Sequence, residues 1–173
     1  TDSDFVFSQL SKNIENACLK LRRYNLATPE VYFFLKTQEM QYQGFQIKLP
    51  FATSVPQDIL REVTRYYPQV FKKGTRYRAT GITLNKLVPD DSLQLDLFGA
   101  VKQSTGIKQV FDSVDALSER YGKHTLFLGS SFKAMTHAQH ENERGEVPDR
   151  MRTLFVGENA RKRLAIPFMG EVV

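Results

Sequence analysis

Between Glu62 and Asp90 the chain carries no acidic residue, yet Arg65, Lys72, Lys73, Arg76, Arg78 and Lys86 all fall there. A basic stretch without local acids attracts a polyanion, because nothing nearby neutralises its field. A solvated face would have the same composition, so charge alone leaves both readings open. Other chemistry-bearing residues are sparse. His137 and His140, with Glu141 and His124 nearby in sequence, are of metal-ligand type. They lie in a polar stretch with no helical period and no supporting cysteine, so no metal site is assigned. Gly129-Ser130-Ser131 lacks the G-x-S-x-G pattern of a nucleophile elbow. The single cysteine, Cys18, falls on the apolar side of a helix and reads as core; alone it forms neither a disulfide within the chain nor a Cys-based zinc site. No acidic cluster stands out for two-metal nucleotidyl transfer, so no catalytic residue is assigned.

Several elements must hold these residues. The 173 residues are 41% hydrophobic and 25% charged, enough for a core and too apolar for wholesale disorder. The net charge of +5 is uneven: residues 1–92 hold 13 Lys and Arg against 9 acids. No apolar run reaches a membrane span, and no basic-then-apolar leader opens the chain, so a cytoplasmic protein is expected. The start at Thr1, without Met, fits an excised piece of a longer protein.

Leu10, Ile14, Ala17, Leu21 and Tyr24 recur at the helical period, with Phe7 ahead of them, and Asp2, Ser3 or Asp4 suits the cap. Lys20, Arg22 and Arg23 sit where cations favour a helix end. Residues 30–37 and 42–49 read as strands of a hairpin joined by the polar residues 38–41. Phe45, Ile47 and Leu49 alternate with Gln46 and Lys48. A second helix comes next, capped by Ser54, with Pro56 in its first turn and Ile59, Val63, Tyr66 and Val70 as its stripe. Pro68 is expected to kink or interrupt it, and Gly74 to stop it. Residues 76–84 form a last strand, with Thr80, Ile82 and Leu84 toward the helices and Tyr77, Ala79, Gly81 and Thr83 away from them. The fold class is α+β: an antiparallel sheet with two helices on one face, then a partly ordered helical and short-strand tail. The other sheet face carries Lys36, Gln46, Lys48 and Thr83. In the tail, Val110, Val114, Leu117 and Tyr121 mark a third helix. Residues 124–128 read as a short strand, and 129–150 as loop.

The stretch from Gly74 to Gly99, GTRYRATGITLNKLVPDDSLQLDLFG, resembles the end of the little finger domain of bacterial Y-family (translesion) DNA polymerases, of the polymerase IV and V class. The pattern R-x-x-G-I-x-L from Arg78 to Leu84 resembles that domain's last strand. The upstream helix, hairpin and helix are in the family's order, with its first strand lying before Thr1. Residues 111–129 and the final KRLAIPFMG resemble tails in the same family. The resemblance implies a little finger over 1–92 that grips duplex DNA by phosphate contacts, for which Lys36, Lys48, Arg76, Arg78 and Thr83 are the candidates.

Gln94, Leu95, Asp96, Leu97 and Phe98 closely resemble the sliding-clamp-binding motif of bacterial replication and repair proteins. Leu97 and Phe98 are apolar anchors that need a pocket, and Gln94 offers amide hydrogen bonds. Residues 93–99 are thus a clamp-binding peptide and 100–173 a tail. By the same resemblance, the chain is a non-catalytic part of a damage-bypass polymerase acting in DNA repair, SOS response included. Its magnesium and catalytic carboxylates belong to a palm outside these residues. Two alternatives stand beside this reading. One is a clamp-tethered, non-catalytic adaptor of polymerase-like shape, told apart by palm carboxylates upstream. The other is a stand-alone RNA-binding α+β module, for which Tyr32, Phe34 and Tyr77 would supply stacking aromatics.

Overall fold

A computed structural model describes residues 2–90, 100–121 and 125–136. The chain divides into two compact units, residues 1–134 and 135–173, and the first holds the whole sheet. Helix α1 spans Ser3–Arg23, strand β1 Leu26–Thr37, strand β2 Tyr42–Thr53, helix α2 Pro56–Val70, strand β3 Tyr77–Asn85 and the two-residue strand β4 Val88–Pro89. Helix α3 (Ala100–Tyr121), a 3-10 turn at Gly129–Ser131 and helix α4 (Phe132–Thr136) complete the described elements. The sheet is antiparallel, with β1 between β2 and β3, and β4 pairs with Leu26 and Ala27 at the start of β1. The helix, hairpin, helix, strand order and the α+β class are those expected from sequence.

The apolar alternation builds the sheet's inner face. Val31, Phe33 and Leu35 of β1 and Ile47 and Leu49 of β2 pack against Leu10, Ile14 and Cys18 of α1 and Ile59 and Val63 of α2. Burial, outweighing the opposing charge of Arg22, pushes the Cys18 thiol up to about 12, so it is a core group and no nucleophile. Phe45 stacks on Tyr66 with ring centroids 4.5 Å apart, and Phe7 meets Tyr67 edge-on at 5.0 Å.

Several local expectations are corrected. Asp2 caps α1 as proposed, accepting from the Asp4 N–H at 2.9 Å. Ser54 does not cap α2. The N-cap is Val55, whose own N–H donates to Thr53 Oγ1 at 3.0 Å, while Thr53 Oγ1 donates to Asp58. Ser54 instead donates to the buried Asp90 carboxylate at 2.9 Å. Pro68 lies in the last turn of α2, which runs on to Val70, and Gly74 serves the following turn at φ +87°. β1 starts at Leu26, because the backbone through Thr28-Pro29 is already extended.

A register shift between Lys36 and Thr37 puts Ala79 opposite Lys36 and Tyr77 opposite Thr37, leaving Arg78 as the bulged residue. The extra residue reverses the alternation. Tyr77 therefore turns to the helix side, where it packs with Phe71 (5.4 Å) and its hydroxyl accepts from the Lys72 N–H.

α1 is covered on its outer side too, which explains why its polar residues Ser8 and Ser11 are buried. Ser130 and Ser131 hydrogen-bond Ser11, the Ala134 N–H donates to Ser8 Oγ at 2.8 Å, and Lys133 bridges Asp2 and Asp4. Glu15 accepts from Ser131 Oγ and the Leu128 N–H; its burial nonetheless holds the carboxyl above the usual range. Farther along, Arg22 makes a two-pronged ion pair with Asp115 of α3, at 2.6 and 2.8 Å, and lies 4.7 Å from the Phe111 ring centroid. Of the stripe expected on α3, Val110, Leu117 and Tyr121 are exposed and only Val114 is half-buried, whereas Phe111, outside that stripe, is buried. Residues 125–128 form no strand. Residues 129–136, read as loop, are a 3-10 turn and a short helix.

Candidate nucleic-acid interface

Period-2 alternation and the two ladders fix which residues share the sheet's open face. Across β3, β1 and β2 the rungs are Ala79–Lys36–Tyr42, Gly81–Phe34–Gly44, Thr83–Tyr32–Gln46 and Asn85–Glu30–Lys48. Lys36, Lys48, Gln46 and Thr83 therefore lie on this face, as the sequence predicts. Lys48 and Thr83 are exposed and Lys36 is half-buried, with its Nζ 4.8 Å from the Tyr42 ring centroid. Arg76 is exposed just ahead of β3, where its carbonyl accepts from the Gln38 N–H, and Arg78 is exposed in the bulge. Of the five proposed DNA-contact residues, Lys36, Thr83 and Lys48 thus sit on the face, Lys36 and Lys48 in its two end rungs, and Arg76 and Arg78 lie beside its Lys36 end.

Glu30 is the one acid among these twelve rung positions. It accepts from Lys86 Nζ at 2.9 Å, and that bond holds its carboxyl below the usual carboxylate range. The face therefore carries a lysine in each end rung, uncharged side chains between them, and a single acid already engaged by Lys86. A neutralised carboxylate does little to repel a phosphate, whereas lysines on the free side of a sheet can reach one.

Of the three aromatics expected to stack, Tyr32 and Phe34 are on this face, Tyr77 has turned to the helix side, and Tyr42, which the sequence did not single out, takes its place. Tyr32, Phe34 and Tyr42 form a continuous row of rings, with centroids 6.2 Å apart for the first pair and 5.3 Å for the second. The row lies over two glycines. A Cβ added at Gly81 would run into the Phe34 ring, and one at Gly44 into the Tyr32 hydroxyl end and the Phe33 carbonyl. Tyr32 and Phe34 were visible from sequence as alternating aromatics. Tyr42 joins them only through the hairpin register, which pairs it with Lys36.

The candidate clamp-binding residues Gln94, Leu95, Asp96, Leu97 and Phe98 lie outside the described residues, as do His124, His137, His140 and Glu141. Among the described residues, no three His, Cys, Asp or Glu side chains converge as a metal would require. No helix among the described residues is long and apolar enough to cross a membrane.

An antiparallel sheet with two helices behind it and a basic face left open is the architecture expected of a little finger. A family model, the impB/mucB/samB family C-terminal domain, matches residues 1–97. The chain belongs to this family, and that part of it is the little finger region of Y-family translesion polymerases. Neither the curated proteins nor the solved structures give a match.

Proposed function

We propose that the open sheet face lies along duplex DNA and grips its phosphates, while Gln94–Phe98 tethers the chain to a bacterial sliding clamp during damage bypass. The observation that carries the DNA half is the twelve-position face itself: Lys36, Lys48 and Thr83 stand on it, Arg76 and Arg78 flank it, and its one acid is paired with Lys86. Phosphate contacts hold a duplex without reading its sequence. That suits an enzyme whose template base has lost its coding edge. The five contact residues hold DNA; the chemistry of nucleotide transfer belongs to the polymerase's palm, with magnesium there.

The clamp half rests on the peptide's sequence and on its position. Asp90, the last described residue before it, is anchored: its N–H donates to the Asn25 carbonyl at 2.9 Å and its carboxylate accepts from Ser54. The peptide therefore starts from a fixed point on the little finger. A tether from such a point limits how far the DNA face strays from the clamp, which raises the effective concentration of DNA at the face.

The test of the DNA half is sequence indifference. Two 20-base-pair duplexes of unrelated sequence and equal length should bind the chain with affinities within about twofold in fluorescence anisotropy, both weakening steeply with salt. A difference above about tenfold would mean base readout and defeat the phosphate-grip reading.

A further inference from the structure

Phosphate contacts leave the ring row on the open face without a task, because the bases of an intact duplex are stacked on each other and offer no face to a side chain. We propose that Tyr32, Phe34 and Tyr42 form a stacking platform for bases of unpaired DNA, with Tyr42 the outermost ring. The inference rests on the DNA-binding reading of this face and adds to it a ligand form and three residues.

Four observations carry it. The rings are contiguous at 6.2 and 5.3 Å, so neighbouring bases of one strand could be taken in succession. They are not folded into the core: the core-facing aromatic of β1 is Phe33, fully buried, whereas Tyr32 and Phe34 are half-buried and Tyr42 is 59% exposed. Gly81 and Gly44 lie beneath them, and any Cβ there would lift the Phe34 and Tyr32 rings. The two glycines thus leave the space that the tips of these rings occupy on the open face. Finally, Lys36 lies 4.8 Å from the Tyr42 ring centroid, and Lys48 stands two rungs beyond Phe34. Cations beside an aromatic row track the backbone of a single strand while its bases stack. This charge separates the platform from an apolar patch awaiting a protein partner, which favours few charges at its centre.

The test compares oligo(dT) of twelve nucleotides with a 20-base-pair duplex, both by fluorescence anisotropy at one salt concentration, using the full chain. Tyr42→Leu keeps apolar bulk and removes the π face, at an exposed position where folding is not at stake. It should weaken oligo(dT) binding by about fivefold or more, as loss of one base–aromatic stack does. Duplex affinity should change less than about twofold, and Tyr42→Phe should restore oligo(dT) binding. The chain has no tryptophan, so tyrosine emission gives a second readout: oligo(dT) should quench it, and less so in Tyr42→Leu. Equal oligo(dT) affinity for Tyr42→Leu and wild type, with duplex binding intact, would overturn the platform alone. Failure of the wild type to bind either DNA would overturn the DNA reading with it. Self-association that Tyr42→Leu abolishes would assign the row to a second copy of the chain instead.

Discussion

Replacing Leu97 and Phe98 together with Ala is expected to lower affinity for a bacterial sliding clamp about a thousandfold, with no change in melting temperature. In a short peptide that binds by anchoring, most of the energy comes from the large apolar side chains that enter pockets. Each such anchor typically contributes about 2 kcal/mol or more on truncation. Two of them give about 4 kcal/mol, close to three orders of magnitude in Kd. The peptide begins four residues beyond Asp90, where the little finger's last anchor holds the chain through Asn25 and Ser54. The clamp-peptide reading places Leu97 and Phe98 outside the core, so truncation there should leave the fold's stability alone. Isothermal titration of the clamp measures the first quantity and thermal unfolding the second. An unchanged Kd, or a fall in melting temperature large enough to explain the loss, would each contradict the tether.

Asp115→Ala is expected to undock α3 while leaving the sheet intact. The Arg22 side chain is only 6% exposed and satisfies its guanidinium with both Asp115 oxygens, the Ser54 carbonyl at 2.9 Å and the Phe111 ring. Arginine cannot shed its proton to escape burial. Removing the carboxylate therefore strands a desolvated cation, at a cost of about 3 kcal/mol, the low end for a broken buried pair. The low end applies because Asp115 keeps 22% of its side-chain surface exposed and water can reach the gap. The cheapest relief is release of α3, since Phe111 is not among the residues of the main core cluster. Amides of α3 should then exchange about a hundredfold faster, while those of β1 keep their protection. Hydrogen exchange read by mass spectrometry distinguishes this from global unfolding, in which β1 would accelerate as well. Unchanged exchange in α3 would mean that the ion pair does not hold it.

Local periodicity made most of the little finger legible in the sequence. The step of Leu10, Ile14 and Leu21, the alternation of Phe45, Ile47 and Leu49, and the turn between residues 37 and 42 are each set within a few residues, and each is found in the fold. Features set by distant partners were not legible. The reversal at Tyr77 depends on a bulge against Thr37, on another strand. Ser54 gives up capping α2 because Asp90 is brought beside it. The buried side of α3 is chosen by Arg22, 93 residues away, over its own apolar stripe. The burial of Ser8 and Ser11 depends on residues more than a hundred positions away, Ala134 on Ser8 and Ser130 and Ser131 on Ser11. On the candidate site, Lys36, Lys48 and Thr83 came from strand alternation alone. Tyr42 needed the hairpin register, which places it across from Lys36.

The claim at the centre of the account is that lysines of the open face hold DNA phosphates, and the salt dependence of duplex binding tests it most directly. Each phosphate contact on B-DNA adds about 0.9 to the magnitude of the slope of log K against log salt, through release of condensed counterions. Lys36 and Lys48 stand on the open face at opposite ends of the ring row, three rungs apart. Replacing both with Ala should reduce the slope by about 1.8. Fluorescence anisotropy on one duplex across a salt series, with wild type and double variant side by side, gives the number. A slope reduced by about 1.8 is the result the account predicts, and a double variant that keeps the wild-type slope would contradict it.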